Sequence, residues 1–392
     1  MVEIPVMMQS PPQPKTPYSL EPGAFNVESP KLDKIETLYV AWLAGASCDG
    51  CSISVLGATK PSLEDLLGGK LPGIPKVVLM HTALSMESGY EYIENLKRCE
   101  RSEYWPYVVV LEGSVANEKL AGDGFWIAIG EDENGRPITT SEWLSRLCPG
   151  AAATIAIGTC ATWGGIPAAE HNATGAMGLM DYLGKDYRSA FGLPVINVPG
   201  CAPIGDNFTE TVAAIIMFLQ GIAPLPKFDE LGRPEWLYGE TVHRACPRAG
   251  YYEEGVFAKE YGGPECLVEL GCWGPVVQCN MPSRGAVNGF GGCMNMGGIC
   301  IGCTMPGFPD KFAPLYSKPP GSEISTNASR VLGKVVRTLR HFTMRDKNRE
   351  TQWHGTAPSG WAELKLPPFY ERWLYKLYHK MQSRRKSEGV KT

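Results

Sequence analysis

The chain has 392 residues, 44% hydrophobic and 20% charged, with a formal net charge of -4. That is enough apolar material for one large or two smaller soluble cores. The slight acidity argues against a nucleic-acid partner, and no run of roughly 18 apolar residues offers a membrane span. Gly 45 and Pro 32 are both high for this length, and they gather around the cysteines without any repeat, which points to shaped loops rather than disorder.

Residues 1–33 are expected to form an extended arm, because Pro11, Pro12, Pro14, Pro17, Pro22 and Pro30 disfavour a helix. This stretch carries no basic start, long apolar run or paired arginine, so a cytoplasmic address is expected, free or peripheral at the inner face of the membrane. Thiols stay reduced there, and an odd number of cysteines, 13, in so long a chain fits poorly with a disulfide scaffold.

Between 34 and 225, short apolar runs bounded by glycine turns predict five buried parallel strands: Ile35–Leu43, Lys76–Met80, Tyr107–Leu111, Thr154–Gly158 and Pro194–Val198. Crossover helices are expected at Ser62–Leu67, Met86–Leu96, Thr139–Leu147 and Gly175–Leu183, with a further helix at Thr209–Gln220. The fold class is therefore α/β, a flavodoxin-like doubly wound parallel sheet. Cys48 and Cys51 follow the first strand, Cys160 the fourth and Cys201 the fifth. Open α/β sheets build sites at the carboxyl ends of strands, so these thiols should meet there. A thioredoxin-like redox pair at Cys48 and Cys51 is disfavoured, since no helix is expected to follow and Cys160 and Cys201 would go unused. Cys99 and Cys148 have no soft neighbour and are taken as ordinary thiols.

From 226 to 310 periodicity fades and an irregular, cluster-bearing domain is expected. The spacing is His243-x2-Cys246-x19-Cys266-x5-Cys272-x6-Cys279-x13-Cys293-x6-Cys300-x2-Cys303. One histidine and seven cysteines match the ligand need of two four-iron clusters, and a chain with several clusters moves electrons. Cys300-x2-Cys303 is also a zinc half-site, so structural zinc is the competing reading, with a non-enzymatic scaffold as its consequence. His81, His171, His341, His354 and His379 have no such company and are read as ordinary histidines.

Residues 311–392 form a cysteine-free extension. A helix is expected over Ser325–Thr343, with Val331, Leu332, Val335, Val336 and Leu339 on one side. A second is expected over 369–386, in a basic stretch suited to a partner protein, a second heterodimer or a membrane surface.

These segments together resemble the small, iron–sulfur subunit of nickel–iron hydrogenases. WLAGASCDGCSIS (42–54), LEGSV (111–115), GTCATWGGIPAA (158–169) and VPGCAP (198–203) follow that family's proximal-cluster segments. HRACPRAGYYEEGVF (243–257), GPECLVELGCWGP (263–275) and CIGCTMPGFPD (300–310) follow its distal and medial segments in order. The resemblance implies three clusters: a proximal [4Fe-4S] on Cys48, Cys51, Cys160 and Cys201, and a distal [4Fe-4S] on His243, Cys246, Cys266 and Cys272. The third, medial, would sit on Cys279, Cys300 and Cys303. It further implies a partner large subunit holding the NiFe centre, a dimer or higher assembly of such heterodimers, and an acceptor that is a protein or a quinone. No catalytic residue is expected in this chain itself. The reaction would be H2 + acceptor = 2 H+ + reduced acceptor. A cofactor-reducing hydrogenase, or a relative of the quinone-reductase subunit that shares the proximal fold, is the alternative.

Two departures matter. Cys293 stands where many family members have proline, which predicts a medial [4Fe-4S] rather than [3Fe-4S] cluster. Asp49 stands where many have a small hydroxyl residue, as an acceptor beside the proximal cysteines or an oxygen ligand in its own right. Gly50 and Gly165 occupy the positions where one oxygen-tolerant class adds cysteines. Spacing, the missing export signal and the long extension look most like the actinobacterial-type, high-affinity uptake class.

Overall fold

The fold is given by a computed structural model that describes residues 19–30, 35–84 and 89–343. In chain order it runs β1 Thr37–Ala44, α1 Gly50–Leu56, α2 Leu63–Leu67, β2 Lys76–His81, α3 Gly89–Glu100 and β3 Tyr107–Glu112. Then come β4 Ala128–Glu131, β5 Pro137–Thr139, α4 Thr140–Leu147, β6 Ala153–Ile157, α5 Gly158–Trp163, α6 Leu179–Leu183, β7 Ile196–Val198 and α7 Gly205–Leu219. Short helices α8 Glu235–Tyr238, α9 Ala249–Glu253 and α10 Met281–Arg284 precede the long α11 Ser322–Thr343.

The five expected strands form one parallel sheet in the order β2-β1-β3-β6-β7. Val40 pairs with Val108, Val109 with Thr154 and Ile155 with Ile196. Alternate residues of each strand feed opposite faces, and both faces are covered. Val40, Trp42, Val108 and Val110 pack with α7 residues such as Phe208 and Ile215. Ala41, Leu43, Val109 and Leu111 pack with Leu96 of α3 and Trp143 and Leu144 of α4. Two-sided burial explains why YVVVL in β3 is apolar without alternation. Each fully buried Leu or Val is worth about 1.5–3 kcal/mol. β4 and β5 make a separate antiparallel pair.

The order with β1 between β2 and β3 reverses the winding beside β1, so the loops after β1 and β3 diverge around a crevice at the carboxyl edge. A helix does follow Cys48: α1 starts at Gly50, directly after Asp49, whose φ is 58°. The expectation of no helix there is corrected. Its sequence, GCSISVL, is rich in weak helix formers, and packing on α7 stabilises what propensity does not.

The chain divides into two compact units, 1–247 with 271–319 and 248–270 with 320–392. In the second unit Arg330 of α11 pairs with Glu269 at 2.5 Å and lies over the Phe257 ring at 5.3 Å. Val331, Leu332 and Val335 of α11 are exposed. The second tail helix expected at 369–386 lies outside the described residues, as does most of the N-terminal arm. Among the described residues no helix is long and apolar enough to cross a membrane.

Candidate metal centres

Four cysteines arrive at the carboxyl edge of the sheet. Cys48 and Cys51 come from the β1–α1 turn, Cys160 from α5 directly after β6, and Cys201 from the loop after β7. They face one another electrostatically. Burial first, then the Glu112 carboxylate and the thiols of Cys160, Cys48 and Cys201, push the Cys51 thiol far above its usual range. Cys160 is pushed up to about 11 by burial and by Cys201, against a hydrogen bond from the Ile166 amide. Cys201 is raised by burial and Cys48. Four thiolates gathered this way repel each other unless a cation binds them, which is the donor chemistry of a metal cluster. Gly158 makes the approach possible. Its φ is +83°, and a Cβ there would stand 2.3 Å from Cys51 Sγ.

Behind Cys51 sits a buried carboxylate. Glu112, 2% exposed at the end of β3, accepts from the Cys51 amide at 3.0 Å, the Ser52 amide at 3.3 Å and Trp42 Nε1 at 3.2 Å, and from the Ser52 hydroxyl. His81 continues the network. Its Nδ1 accepts from the Ala83 and Leu84 amides at 2.9 and 3.0 Å, so Nε2 carries the proton and meets Ser52 Oγ at 3.2 Å. Burial lowers the His81 pKa, opposed by Glu112 and Asp49. Asp49 itself is exposed and makes no capping bond to α1.

Cys279, Cys293, Cys300 and Cys303 line one cavity together with Tyr238 and Ile301. Burial raises all four thiols, Cys279 to about 11 and Cys303 to about 12. The segment is tied to the sheet. Asn207 and Asn280 exchange amide hydrogen bonds at 2.9 Å, and Arg284 of α10 grips Glu210 of α7 with Nη2–Oε2 at 2.9 Å. Thr159, next to Cys160, donates its hydroxyl to the Cys303 carbonyl, and Gly200, Ala202 and Pro203, around Cys201, line the same cavity. The strand-end quartet and the cavity quartet are thus neighbours.

Of the remaining expected ligands, His243, Cys246 and Cys272 belong to the first compact unit and Cys266 to the second. The His243 amide donates to the Gly274 carbonyl at 3.0 Å, and the Cys246 amide to the His243 carbonyl at 3.2 Å. Cys272 Sγ accepts from the Gly274 amide at 3.5 Å and the Cys300 amide at 3.4 Å. Cys99 and Cys148 are fully buried in the core, away from these groups.

Among the described residues no three His, Cys, Asp or Glu side chains converge closely enough for a single metal ion. A four-iron cubane holds its thiolates at its corners, farther apart than the ligands of one tetrahedral zinc. Each quartet offers four thiols, the donor set such a group takes. Sequence reasoning passed over Glu112, Arg233 and Tyr238 as individual residues and read His81 as an ordinary histidine. The available signal was Glu112 itself, a charge ending a wholly apolar strand, since such residues are rarely buried unless partnered.

Residues 238–316 match the C-terminal family of the NiFe/NiFeSe hydrogenase small subunit, and residues 48–215 match the family of the 20 Kd subunit of NADH ubiquinone oxidoreductase. The periplasmic [NiFeSe] hydrogenase small subunit of Desulfomicrobium baculatum is 32% identical, over 71% of this chain and 86% of its own. The periplasmic [NiFe] hydrogenase small subunit 1 of Nitratidesulfovibrio vulgaris is also 32% identical, over 71% of this chain and 81% of its own. The actinobacterial-type NiFe-hydrogenase structure from Ralstonia eutropha H16 superposes with a TM-score of 0.77 at 48% identity, covering 87% of this chain and 98% of that one.

Two of these relatives are named as periplasmic, which overturns the cytoplasmic address expected above. The premise was a stretch over residues 1–33 without the marks of an export signal, and such an absence does not report the compartment. The two-part match, the relatives and the shared fold lead to one conclusion: the chain belongs to the NiFe/NiFeSe hydrogenase small-subunit family, as the electron-transfer partner of a large subunit that carries the NiFe centre.

Proposed function

We propose that this chain is the relay of an uptake hydrogenase, carrying electrons from the partner's NiFe centre through three iron–sulfur clusters. The observation that carries the reading is the cavity lined by Cys279, Cys293, Cys300 and Cys303, set against the strand-end quartet through the Thr159 hydroxyl, beside Cys160, on the Cys303 carbonyl. Cys48, Cys51, Cys160 and Cys201 hold the proximal group. Cys279, Cys293, Cys300 and Cys303 hold a four-iron medial group, and His243, Cys246, Cys266 and Cys272 the distal one.

Bound clusters supply one-electron carriers. The chain supplies the thiolates, the amide hydrogen bonds to sulfur and the apolar walls that tune them. Met294, Val242 and Val277 line the medial cavity and limit water there. Hydrogen gives two protons and two electrons at the partner, and the electrons pass singly. Among the described residues of this chain no nucleophile and base are placed for the splitting itself. The uptake direction rests on the resemblance of the ligand spacing and the long extension to the actinobacterial-type, high-affinity uptake class.

Metal and sulfide analysis of the purified two-subunit complex tests this. About twelve irons and twelve sulfides per small chain are expected. Zinc without sulfide overturns the reading, as does hydrogen oxidation with dye by the small chain alone.

A further inference from the structure

Arg233 is the largest charged side chain in the interior, only 1% exposed. It sits in a turn that Asp229 closes: Oδ1 accepts from the Leu231 amide at 3.0 Å and from the Arg233 amide at 2.8 Å. The turn is pinned to β7, where the Asn197 amide donates to the Gly232 carbonyl at 2.8 Å and Asn197 Nδ2 to the Leu231 carbonyl at 2.8 Å. This leaves the guanidinium little freedom.

Its two edges face different ways. Nε pairs with Asp229 Oδ2 at 2.8 Å. Nη2 donates to the Gln278 side chain, one residue before Cys279, and Nη1 meets Met305 Sδ at 3.8 Å, two residues after Cys303. The same guanidinium lies 5.6 Å from the centre of the Tyr238 ring, which walls the medial cavity. Arg233 and Asp229 therefore form a buried dipole, with its positive end toward the chain segments carrying Cys279 and Cys303 and its negative end away from them.

We propose that Arg233 is a positioning residue that sets the reduction potential of the medial centre, through a guanidinium held between Asp229 and the segments bearing Cys279 and Cys303. The inference rests on the three-cluster reading above. Adding one electron to the group held by those cysteines adds one negative charge, and the electron comes from hydrogen through the partner subunit. A fixed positive charge nearby favours that reduced state, and in a site closed to water it is weakly screened. Arginine suits the task because its charge does not titrate. No proton need accompany the electron.

The test uses the intact two-subunit complex and follows the medial signal by low-temperature paramagnetic resonance during potentiometric titration. Arg233→Gln should disfavour medial reduction about tenfold, a downward shift of about 59 mV for one electron. Asp229→Asn removes the opposing charge and should shift the potential upward, while Arg233→Lys keeps it near the parent's. A purely structural role would not reverse sign between the two neutralising variants. If Arg233→Gln does not assemble, the upward shift in Asp229→Asn carries the test. Shifts of the same sign in both, or none in either with the medial signal intact, overturn the proposal. A parent complex with no medial cluster, short of the expected iron by about four, overturns the three-cluster reading and this inference with it.

Discussion

The backbone amide of Cys300 donates to Sγ of Cys272 across 3.4 Å, and the Trp273 amide returns a bond to the Cys300 carbonyl at 2.9 Å. Two segments expected to serve different clusters are thereby joined backbone to sulfur. On the other side, the Thr159 hydroxyl, next to Cys160, donates to the Cys303 carbonyl. On the proposed reading, an amide hydrogen bond to a cluster sulfur favours the more negative, reduced state, so the Cys300 amide would raise the potential of the group on Cys272.

Cys293 shares the medial cavity with three other thiols, so it should be the fourth ligand there. Cys293→Ala should leave a three-iron group, with loss of about one iron per chain. Paramagnetic resonance of the oxidised complex would gain a three-iron signal. That signal in the parent would show that Cys293 does not bind.

Gly158 leaves no room for a side chain, with a Cβ position 2.3 Å from Cys51 Sγ. Gly158→Ala should displace the Cys51 thiol and cost about four irons per chain. Gly184→Ala is the control, because Gly184 has a similar φ of +86° but nothing within 4 Å of its Cβ position. Equal iron loss in both variants would implicate backbone strain rather than the sulfur contact.

Glu112 accepts hydrogen bonds from Trp42, from the Cys51 amide and from both the amide and hydroxyl of Ser52. Glu112→Ala strands several donors in a water-poor site and should destabilise the fold by about 3 kcal/mol. Glu112→Gln keeps one acceptor oxygen and should lose about half as much. Chemical denaturation of the two variants beside the parent measures this, and equal stability of all three would contradict the network's role.

Cys99 and Cys148 are ordinary acids with a strongly buried neutral form, both raised by burial from 9.0 to about 12. A folded pKa above the unfolded one means the folded chain holds these protons more tightly. Their contribution is complete below pH 9 and is lost as pH rises toward 12. Unfolding should ease across that window, and Cys99→Ala with Cys148→Ala should flatten the dependence. Below pH 9 neither thiol should react with an alkylating agent in the folded complex, which mass spectrometry of labelled peptides would read.

Much of this protein is written locally. The five strands are apolar runs cut by glycine, and a parallel strand buried on both faces needs nothing more distant to be recognised. Cysteines just past those strands had to meet, because the sheet brings strand ends together. In the irregular half the cysteines Cys279, Cys293, Cys300 and Cys303, grouped by the resemblance, line one cavity.

What the tertiary structure alone decided lies between segments far apart in sequence. Glu112 touches Cys51 across 61 positions, and Arg233 reaches Gln278 across 45. His81, read from the sequence as an ordinary histidine, proves to be buried behind Ser52. The helix after Cys48 was missed because its residues are poor helix formers that packing overrides. Cys293, a departure from the family pattern already expected as a fourth medial thiolate, lines one cavity with three other thiols, a proximity only the fold supplies. Spacing along the chain names the atoms that can bind a metal. Which charges and donors surround them depends on burial and long-range contact, and those exist only once the chain has folded.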